Sequence, residues 1–185
     1  MTLRAVFLDR DGVLNRVTVL NGVPHPPQTI DEFGILPGVE EACEVLRKAG
    51  FCLIVVTNQP DIARGSQTLE GVGRLNDELR RRLLLDDLFM CPHDDHHKCD
   101  CRKPRPGLLL TAAKVHGIDL AGSVMVGDRD RDVEAGRAAG CRTIFVNAGY
   151  GRLPAPPADL TVASLQEAVP WIISQSTNGG TIRER

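Results

Sequence analysis

The chain of 185 residues lacks the features of a membrane protein and of a nucleic-acid-binding protein. No apolar run approaches the roughly 18 residues that a membrane-spanning helix requires. Aromatic residues make up only 4% of the chain and its net charge is −2, so neither stacking side chains nor a basic field favours nucleic acid. The first residues enter a strand-like segment without the basic-then-apolar pattern of a signal peptide. We therefore expect a cytoplasmic protein whose partners are small molecules.

The alternation of apolar and helical segments predicts one domain with an α/β fold. A hydrophobic content of 42% is enough for a complete core. Strand-like runs alternate with segments of helical period, which predicts a doubly wound parallel sheet. The predicted strands are Ala5 to Leu8, Cys52 to Val56, Leu88 to Cys91, Ser123 to Val126 and Thr143 to Val146, and the predicted helices are Gly38 to Ala49, Gln67 to Leu85, Pro106 to His116 and Asp132 to Ala139. We expect a monomeric domain over residues 1–173 and a flexible tail over residues 174–185.

The first predicted strand ends on two closely spaced carboxylates. Asp9 and Asp11 follow an apolar run, and Gly12 then allows the backbone to turn away. Crowded acids at the end of a buried strand stay ionised only with a cation beside them. This arrangement suits Asp9 as a nucleophile and Asp11 as an acid and base, with Mg²⁺ as the cation. A different interpretation is an Asp-Gly turn that closes a hairpin.

Three further polar motifs follow predicted strands or lie close to them. These are Val55-Val56-Thr57-Asn58-Gln59, Arg102-Lys103-Pro104 and Gly127-Asp128-Arg129-Asp130-Arg131-Asp132. In a parallel sheet the carboxyl ends of the strands share one crevice. There the Thr57 hydroxyl can hold phosphoryl oxygens, and Lys103 can oppose their charge. Taken singly, Thr57 is an ordinary β-branched strand end and Lys103 an ordinary solvated lysine.

The last motif supplies the remaining carboxylates. Asp128 would complete a Mg²⁺ site with the Asp9 carboxylate and the Asp11 backbone carbonyl, all of them hard oxygen ligands. Asp132 would orient Lys103 or the water around the ion, and Asp130 has no assigned role. Asp128 and Asp132 are also residue types that favour a helix N-terminus on electrostatic grounds alone.

Together, the four motifs resemble those of the haloacid dehalogenase superfamily of aspartate-nucleophile phosphatases. The resemblance extends from about Ala5 to Val146. It implies a Rossmann-like core and phosphoryl transfer through an aspartyl-phosphate.

A cluster of potential metal ligands lies before Lys103. Cys91-Pro92-His93 and Cys99-Asp100-Cys101 supply three thiolates and one imidazole, the ligand set of a closed tetrahedral zinc site. Such a zinc ion would be structural and would pin the loop of residues 91–101. The same residues also allow a disulfide that involves Cys99, and His96 or His97 could replace His93. The remaining cysteines, Cys43, Cys52 and Cys141, have apolar surroundings typical of core residues.

The pairing of Cys-Pro-His with Cys-Asp-Cys-Arg-Lys-Pro narrows the resemblance to one family within this superfamily. It is similar to the D-glycero-D-manno-heptose 1,7-bisphosphate 7-phosphatase family, a capless branch that also includes histidinol-phosphate phosphatases. Phe7-Leu8-Asp9-Arg10-Asp11-Gly12, Val56-Thr57-Asn58-Gln59 and Ile62-Ala63-Arg64-Gly65 match the same family. The resemblance implies Mg²⁺-dependent removal of the 7-phosphate of a small phosphorylated sugar, in the biosynthesis of nucleotide-activated heptose. It also implies substrate contacts from Asn15, Thr57, Asn58, Arg102 and Lys103.

Two departures from the family pattern are present. Pro60-Asp61 stands where small residues are common, and the segment Asp94 to Lys98 of the zinc loop is short. Because this loop helps to cover the substrate, the preferred anomer stays open.

The candidate substrates differ in the group that lies far from the reacting phosphate. A bisphosphate needs a second cationic site, for which Arg64, Arg102 and Arg129 are candidates, whereas histidinol phosphate needs an acceptor for its ammonium group. The number of arginines favours the bisphosphate. The net charge of −2 argues against a nucleic-acid 3′-end phosphatase, and the intact carboxylates argue against an inactive scaffold.

Overall fold

The computed structural model describes residues 2–150 and 152–177 and shows a parallel sheet between two layers of helices. The predicted doubly wound α/β fold is confirmed. The strands are β1 (Ala5–Leu8), β2 (Thr18–Leu20), β3 (Val23–His25), β4 (Cys52–Asn58), β5 (Asp87–Cys91), β6 (Val124–Gly127), β7 (Arg142–Val146) and β8 (Leu160–Val162). The α-helices are α1 (Val39–Lys48), α2 (Asp61–Arg64), α3 (Leu69–Arg82), α4 (Gly107–His116), α5 (Asp130–Ala139) and α6 (Leu165–Thr177).

The six-stranded sheet has the order β5-β4-β1-β6-β7-β8, and every pair in it is parallel. Because side chains alternate across a strand, β1 divides its residues between the two faces. Val6 and Leu8 belong to the core that α1 and α6 cover, while Ala5 and Phe7 belong to the core under α4 and α5. Burial on both faces explains the continuous apolar run in the sequence.

The strand order places the reactive carboxylates at the centre of the sheet. From β1 the chain moves to β4 and β5 on one side, and then returns to β6 on the other side. The loops after β1 and β6 therefore diverge, which opens a crevice at the carboxyl edge of the sheet. Asp9 follows β1 and Asp128 follows β6, and Leu8 and Val126 at the ends of these strands are register partners.

Four regions of the described chain that form α-helices or strands lie outside the predicted elements, namely the hairpin of β2 and β3, the one-turn helix α2, strand β8 and helix α6. The hairpin of β2 and β3 is joined by Asn21-Gly22, with both residues at positive φ, as a type I′ turn requires. Strand β8 is short, and α6 contains Pro170, which obscured its helical pattern. Helix α6 continues through residues 174–177, which the sequence analysis assigned to the tail, and residues 178–185 lie outside the described part of the chain. No helix among the described residues is long and apolar enough to cross a membrane.

Helix α5 packs unusually close to the sheet at Gly136. A Cβ atom there would lie 2.7 Å from the Met125 Cβ and 2.9 Å from the Thr143 Cγ2. We expect Gly136→Ala to lower the free energy of unfolding by about 1–3 kcal/mol, because the helix must move away from the strands. Gly73 of α3 has no atom within 4 Å of its Cβ position, so Gly73→Ala is the matched control and should stabilise by about 0.5–1 kcal/mol. Urea unfolding monitored by circular dichroism measures both changes, and equal effects would contradict the packing argument.

Candidate active site

A buried ion cluster at the end of β1 forms the centre of the site. The Lys103 Nζ lies 2.8 Å from the Asp9 Oδ1 and 2.6 Å from an Asp132 carboxylate oxygen, and it donates to the Val56 carbonyl at 2.8 Å. Burial alone lowers the pKa of Lys103, but the charges of Asp132 and Asp9 outweigh burial and raise the pKa above its usual value. Lys103 is therefore a fixed cation beside Asp9.

Asp128 adds a further carboxylate to this cluster. Its side chain is 2% exposed, and its Oδ1 has no hydrogen-bond partner among the described residues. One carboxylate oxygen from each of Asp9, Asp128 and Asp132 lies within 4.8 Å of the others. Burial, opposed by Lys103, raises the pKa of Asp9 to about 6, and burial with the neighbouring carboxylates raises the pKa of Asp128.

These carboxylates fit a divalent cation. The Lys103 ammonium can neutralise one of the three buried carboxylates, and the half-exposed Arg129 approaches Asp128 only at 3.6 Å. A dication would cancel the remaining charge and give the orphaned Asp128 oxygen a partner, and Mg²⁺ prefers such oxygen ligands. Asp132 differs from the other two because it pairs with Lys103 and accepts the Arg129 backbone N–H at 3.0 Å. Of the two roles that the sequence left open for Asp132, orienting Lys103 or the water around the ion, this contact favours the first.

Several donors hold the Asp11 carboxylate in place. Gln59 donates to it at 2.7 Å, Arg10 at 2.9 Å and Asn15 at 2.9 Å. Arg10 is fully buried and also donates to Asn76 of α3 at 2.9 Å, so the helix supports the acid through Arg10. Asp11 is therefore pre-oriented at the rim of the crevice, with 16% of its side chain exposed.

Two residues predicted to contact substrate, Asn15 and Asn58, also support other residues of the site. Asn15 is fully buried, and its amide donates to Asp11 and to the Arg16 carbonyl, so substrate cannot reach it in this conformation. The Asn58 amide binds the backbone of Lys103, accepting from its N–H and donating to its carbonyl, both at 3.1 Å. Thr57 is 1% exposed, and its hydroxyl accepts from Gln59 at 3.0 Å. Asn15 and Asn58 therefore position Asp11 and Lys103, and Asn58 also lines the crevice beside Asp9.

Arg10, Gln59 and Asn76 were not among the site residues predicted from the sequence. Arg10 and Gln59 stand inside motifs that were recognised, and a charged residue next to a buried strand was a usable signal for Arg10. Asn76 lies on the apolar face of α3, and its role depends on the packing of that helix against the sheet.

The predicted zinc ligands converge on one point. The Cys101 Sγ lies 3.1 Å from that of Cys91, 3.4 Å from that of Cys99 and 3.4 Å from the His93 Nδ1. Around a tetrahedral zinc ion with bonds of about 2.3 Å, neighbouring ligand atoms lie about 3.8 Å apart. The four donor atoms therefore fit this ion once they move slightly apart. The described cysteines are all free thiols, in agreement with a metal site rather than a disulfide. His97 instead accepts from the Asp94 backbone N–H at 3.2 Å.

The crevice beside Asp9 is a cavity of about 330 Å³ with arginines in its wall. Arg64 makes two hydrogen bonds to Asp94, at 2.8 and 3.0 Å, and Arg102 donates to Asp95 at 2.6 Å and to the His93 carbonyl at 3.1 Å. Arg129 also lines the cavity, as does Arg131, which the sequence analysis did not single out. The hairpin of β2 and β3 contributes Val23 to His25, and this wall was not foreseen.

A larger cavity of about 510 Å³ lies on the other side of Gly12. Its lining is mainly apolar and contains no carboxylate, with Arg16 as its charged residue. The ion cluster therefore marks the smaller cavity as the candidate reaction centre.

Comparison with known proteins agrees with this geometry. Residues 100–168 match the HAD-hydrolase-like family model. D-glycero-beta-D-manno-heptose-1,7-bisphosphate 7-phosphatase from Escherichia coli K12 is 41% identical over 183 residues, which cover 92% of this chain and 88% of the relative. The Vibrio cholerae protein of the same name is 40% identical over 162 residues, 80% of this chain and 84% of the relative. The chain belongs to this phosphatase family.

Solved structures support the assignment at the level of the fold. The crystal structure of D,D-heptose 1,7-bisphosphate phosphatase from B. bronchiseptica, complexed with magnesium and phosphate, has a TM-score of 0.78 and 29% identity. It covers 94% of this chain and 99% of the neighbour. The Burkholderia thailandensis phosphatase of the same name has a TM-score of 0.65 and 27% identity over 92% of this chain and 99% of that protein. The chain is therefore a phosphatase of the haloacid dehalogenase type.

The zinc cluster generates a stability prediction. Cys99→Ser should lower both the zinc content and the melting temperature, because the binding energy of a structural metal is folding energy for its loop. We expect a decrease of more than about 4 °C, which corresponds to ~1–2 kcal/mol in a domain of this size. Metal analysis and calorimetry measure the two effects. Cys141→Ala, in a buried position outside the cluster, is the control and should keep the zinc content of the wild type. A zinc-free wild-type protein with a disulfide among Cys91, Cys99 and Cys101 would contradict the prediction.

Proposed function

We propose that the chain hydrolyses the 7-phosphate of D-glycero-D-manno-heptose 1,7-bisphosphate, with Asp9 as the nucleophile. The observation that carries the proposal is the Lys103 ammonium 2.8 Å from Asp9, in a cluster that also contains the unpartnered Asp128 oxygen. A carboxylate beside a fixed cation and a predicted metal site has what is needed to receive a phosphoryl group. The relatives from Escherichia coli and Vibrio cholerae are named for this substrate and support its choice.

The reaction follows from the positions of two carboxylates. An Asp9 oxygen forms a bond to phosphorus while the bond from phosphorus to the sugar oxygen breaks. Asp11, held by Gln59 and Arg10, is the proposed donor of a proton to that oxygen. Ionised Asp11 then removes a proton from a water molecule that attacks the aspartyl-phosphate. This step releases inorganic phosphate, regenerates the Asp9 carboxylate and returns Asp11 to its acid form.

The other groups stabilise charge. Lys103 lies where it can compensate charge on the transferring phosphoryl oxygens, and Asp132 and Asn58 hold it there. Asp9 and Asp128, with the Asp11 backbone carbonyl, would hold Mg²⁺, which supplies a Lewis acid for the same oxygens. Cys91, His93, Cys99 and Cys101 would hold zinc in a closed site, so its role is structural.

The cavity wall favours an anionic group far from the reacting phosphate. Away from Asp9, Asp11, Lys103 and Asp132 at the reacting end, the described wall has four arginines and two carboxylates. The arginines are Arg64, Arg102, Arg129 and Arg131, and the carboxylates, Asp61 and Asp95, pair with Arg64 and Arg102. An ammonium group such as that of histidinol phosphate would meet this excess of positive charge. The described cavity wall contains no Phe, Tyr or Trp on which a nucleic acid base could stack. A bisphosphate therefore fits better than histidinol phosphate or a nucleic acid end.

A phosphate-release screen tests the substrate. It compares both anomers of the heptose bisphosphate with histidinol phosphate, fructose 1,6-bisphosphate and a 3′-phosphorylated oligonucleotide. We expect the highest kcat/KM for a heptose bisphosphate, and a higher value for histidinol phosphate would overturn the assignment.

The nucleophile has its own test. Asp9→Asn should reduce kcat by at least about 10³-fold, because an amide does not attack phosphorus. Asp130→Asn, at the first residue of α5, is the matched control and should retain activity within a few-fold of wild type. Phosphate release by protein free of wild-type contamination measures both. Residual turnover of Asp9→Asn at a tenth of the normal rate would exclude Asp9 as the nucleophile.

Arg102 tests the second phosphate. Arg102→Ala should reduce kcat/KM for the bisphosphate about 10-fold more than for a simple monophosphate, because a guanidinium pairs with phosphate through two hydrogen bonds. Arg102 also braces the zinc loop, so the control is Arg105→Ala. Arg105 donates to the Lys98 and Cys99 carbonyls of the same loop but does not line the cavity. If Arg102→Ala reduced kcat/KM equally for the two substrates, Arg102 would not be the residue that binds the second phosphate.

A further inference from the structure

Tyr150 lies at the carboxyl edge of the sheet, next to the predicted magnesium site. It belongs to the loop after β7, and β7 pairs with β6, which carries Asp128. Neither the motifs nor the proposed mechanism uses this residue, which is the one tyrosine of the chain.

The backbone of this loop is anchored so that Tyr150 turns back over the site. The Asn147 N–H donates to the Val162 carbonyl at 2.8 Å, and the Asn147 side chain accepts from the Gly149 N–H at 3.2 Å. Gly149 has a φ of 82°, a conformation that glycine adopts without strain. The turn thus directs Tyr150 toward the loop after β1.

The Tyr150 hydroxyl lies between Gly12 and Asp128. A Cβ atom at Gly12 would overlap both the hydroxyl oxygen and the Asp128 Oδ2, so the three loops meet there at close contact. The hydroxyl oxygen is buried and forms no hydrogen bond of standard geometry with any described group. A buried donor without a partner is costly, and the carboxylate beside it is its natural acceptor.

We propose that Tyr150 is a positioning residue for the magnesium site, whose hydroxyl donates to the Asp128 Oδ2 and leaves the Oδ1 free to bind the ion. The inference rests on the metal site of the proposed function. The orientation agrees with the unpartnered state of the Asp128 Oδ1 among the described residues. Hydrogen bonds to the outer oxygen of a ligand fix its direction and support metal affinity.

The chemistry of the donor matters as much as its position. A cationic partner would neutralise Asp128 and weaken its attraction for a dication. A hydroxyl orients the carboxylate and leaves its charge intact. Arg129 approaches the same oxygen only at 3.6 Å and is 40% exposed, so the buried hydroxyl is better placed for this role.

Metal binding by Tyr150→Phe tests the proposal, because this change removes only the hydroxyl. We expect the dissociation constant for Mg²⁺ to rise about 10-fold, as for other residues that orient a metal ligand. Calorimetric titration of the resting protein with Mg²⁺, without substrate, measures this constant directly. The Mg²⁺ concentration that gives half-maximal phosphatase activity should rise by the same factor, while kcat at saturating Mg²⁺ stays within about threefold of wild type.

The controls separate orientation from stability. Thr161→Val removes an exposed hydroxyl from β8, the strand beside β7, and should leave the Mg²⁺ affinity unchanged. Asp128→Asn defines the loss of the ligand itself. Unchanged or tighter Mg²⁺ binding by Tyr150→Phe would overturn the proposal, as would a fall in kcat and melting temperature at unchanged affinity. If wild type and Asp128→Asn bind Mg²⁺ equally, the metal site is wrong and the role of Tyr150 falls with it. If only the assignment of the heptose substrate were wrong, the Mg²⁺ titration would still test the role of Tyr150.

Discussion

The ion cluster of Lys103 with Asp9 and Asp132 is the constraint on which the site depends. Charges buried to this degree are stable only when their partners are fixed, since removing one partner leaves an uncompensated charge that costs several kcal/mol. Lys103 comes from a loop, whereas Asp9 follows the central strand and Asp132 lies in the first turn of α5. The loop must therefore be held as firmly as the secondary structure around it.

Two devices provide that rigidity. Asn58, at the end of β4, binds the N–H and the carbonyl of Lys103 and so ties the loop to the sheet. On the other side, the Cys and His cluster gathers residues 91–101 and ends two residues before Lys103. Arg102 and Arg105 bind loop carbonyls and carboxylates between these anchors. A zinc ion held by this cluster would in this way govern the placement of Lys103.

The acid at the rim of the crevice has a different kind of support. Asp11 receives hydrogen bonds from the β1 loop, through Arg10 and Asn15, and from the β4 loop through Gln59. Arg10 is fully buried and reaches Asn76 of α3, so the packing of a helix contributes to the direction of the carboxylate. The predicted nucleophile and the predicted acid therefore depend on separate networks, which allows one to stay charged and fixed while the other faces the leaving group.

The sequence by itself determined the fold class, the central strands and the chemical identity of the site. Apolar runs buried on both faces alternate with amphipathic segments, and this local pattern is sufficient to indicate a parallel sheet. Asp9, Asp128, Lys103 and the four predicted zinc ligands stand in compact motifs, so residue type and spacing were enough to predict the two clusters that the structure brings together. The short strands β2, β3 and β8 were not predicted because they contain too few residues to show the alternating pattern of a strand.

Only the tertiary structure decided which contacts the neutral polar side chains around the site make. Asn15 and Asn58 fit a substrate contact as well as a support role when only the sequence is considered. Their partners are Asp11 and Lys103, and for Asn58 the partner lies 45 residues away. Gln59, Asn76 and Tyr150 carry no motif of their own, and their positions follow from which loops meet at the edge of the sheet. A side chain that acts through another residue is defined by that contact, and such contacts exist only after the chain has folded.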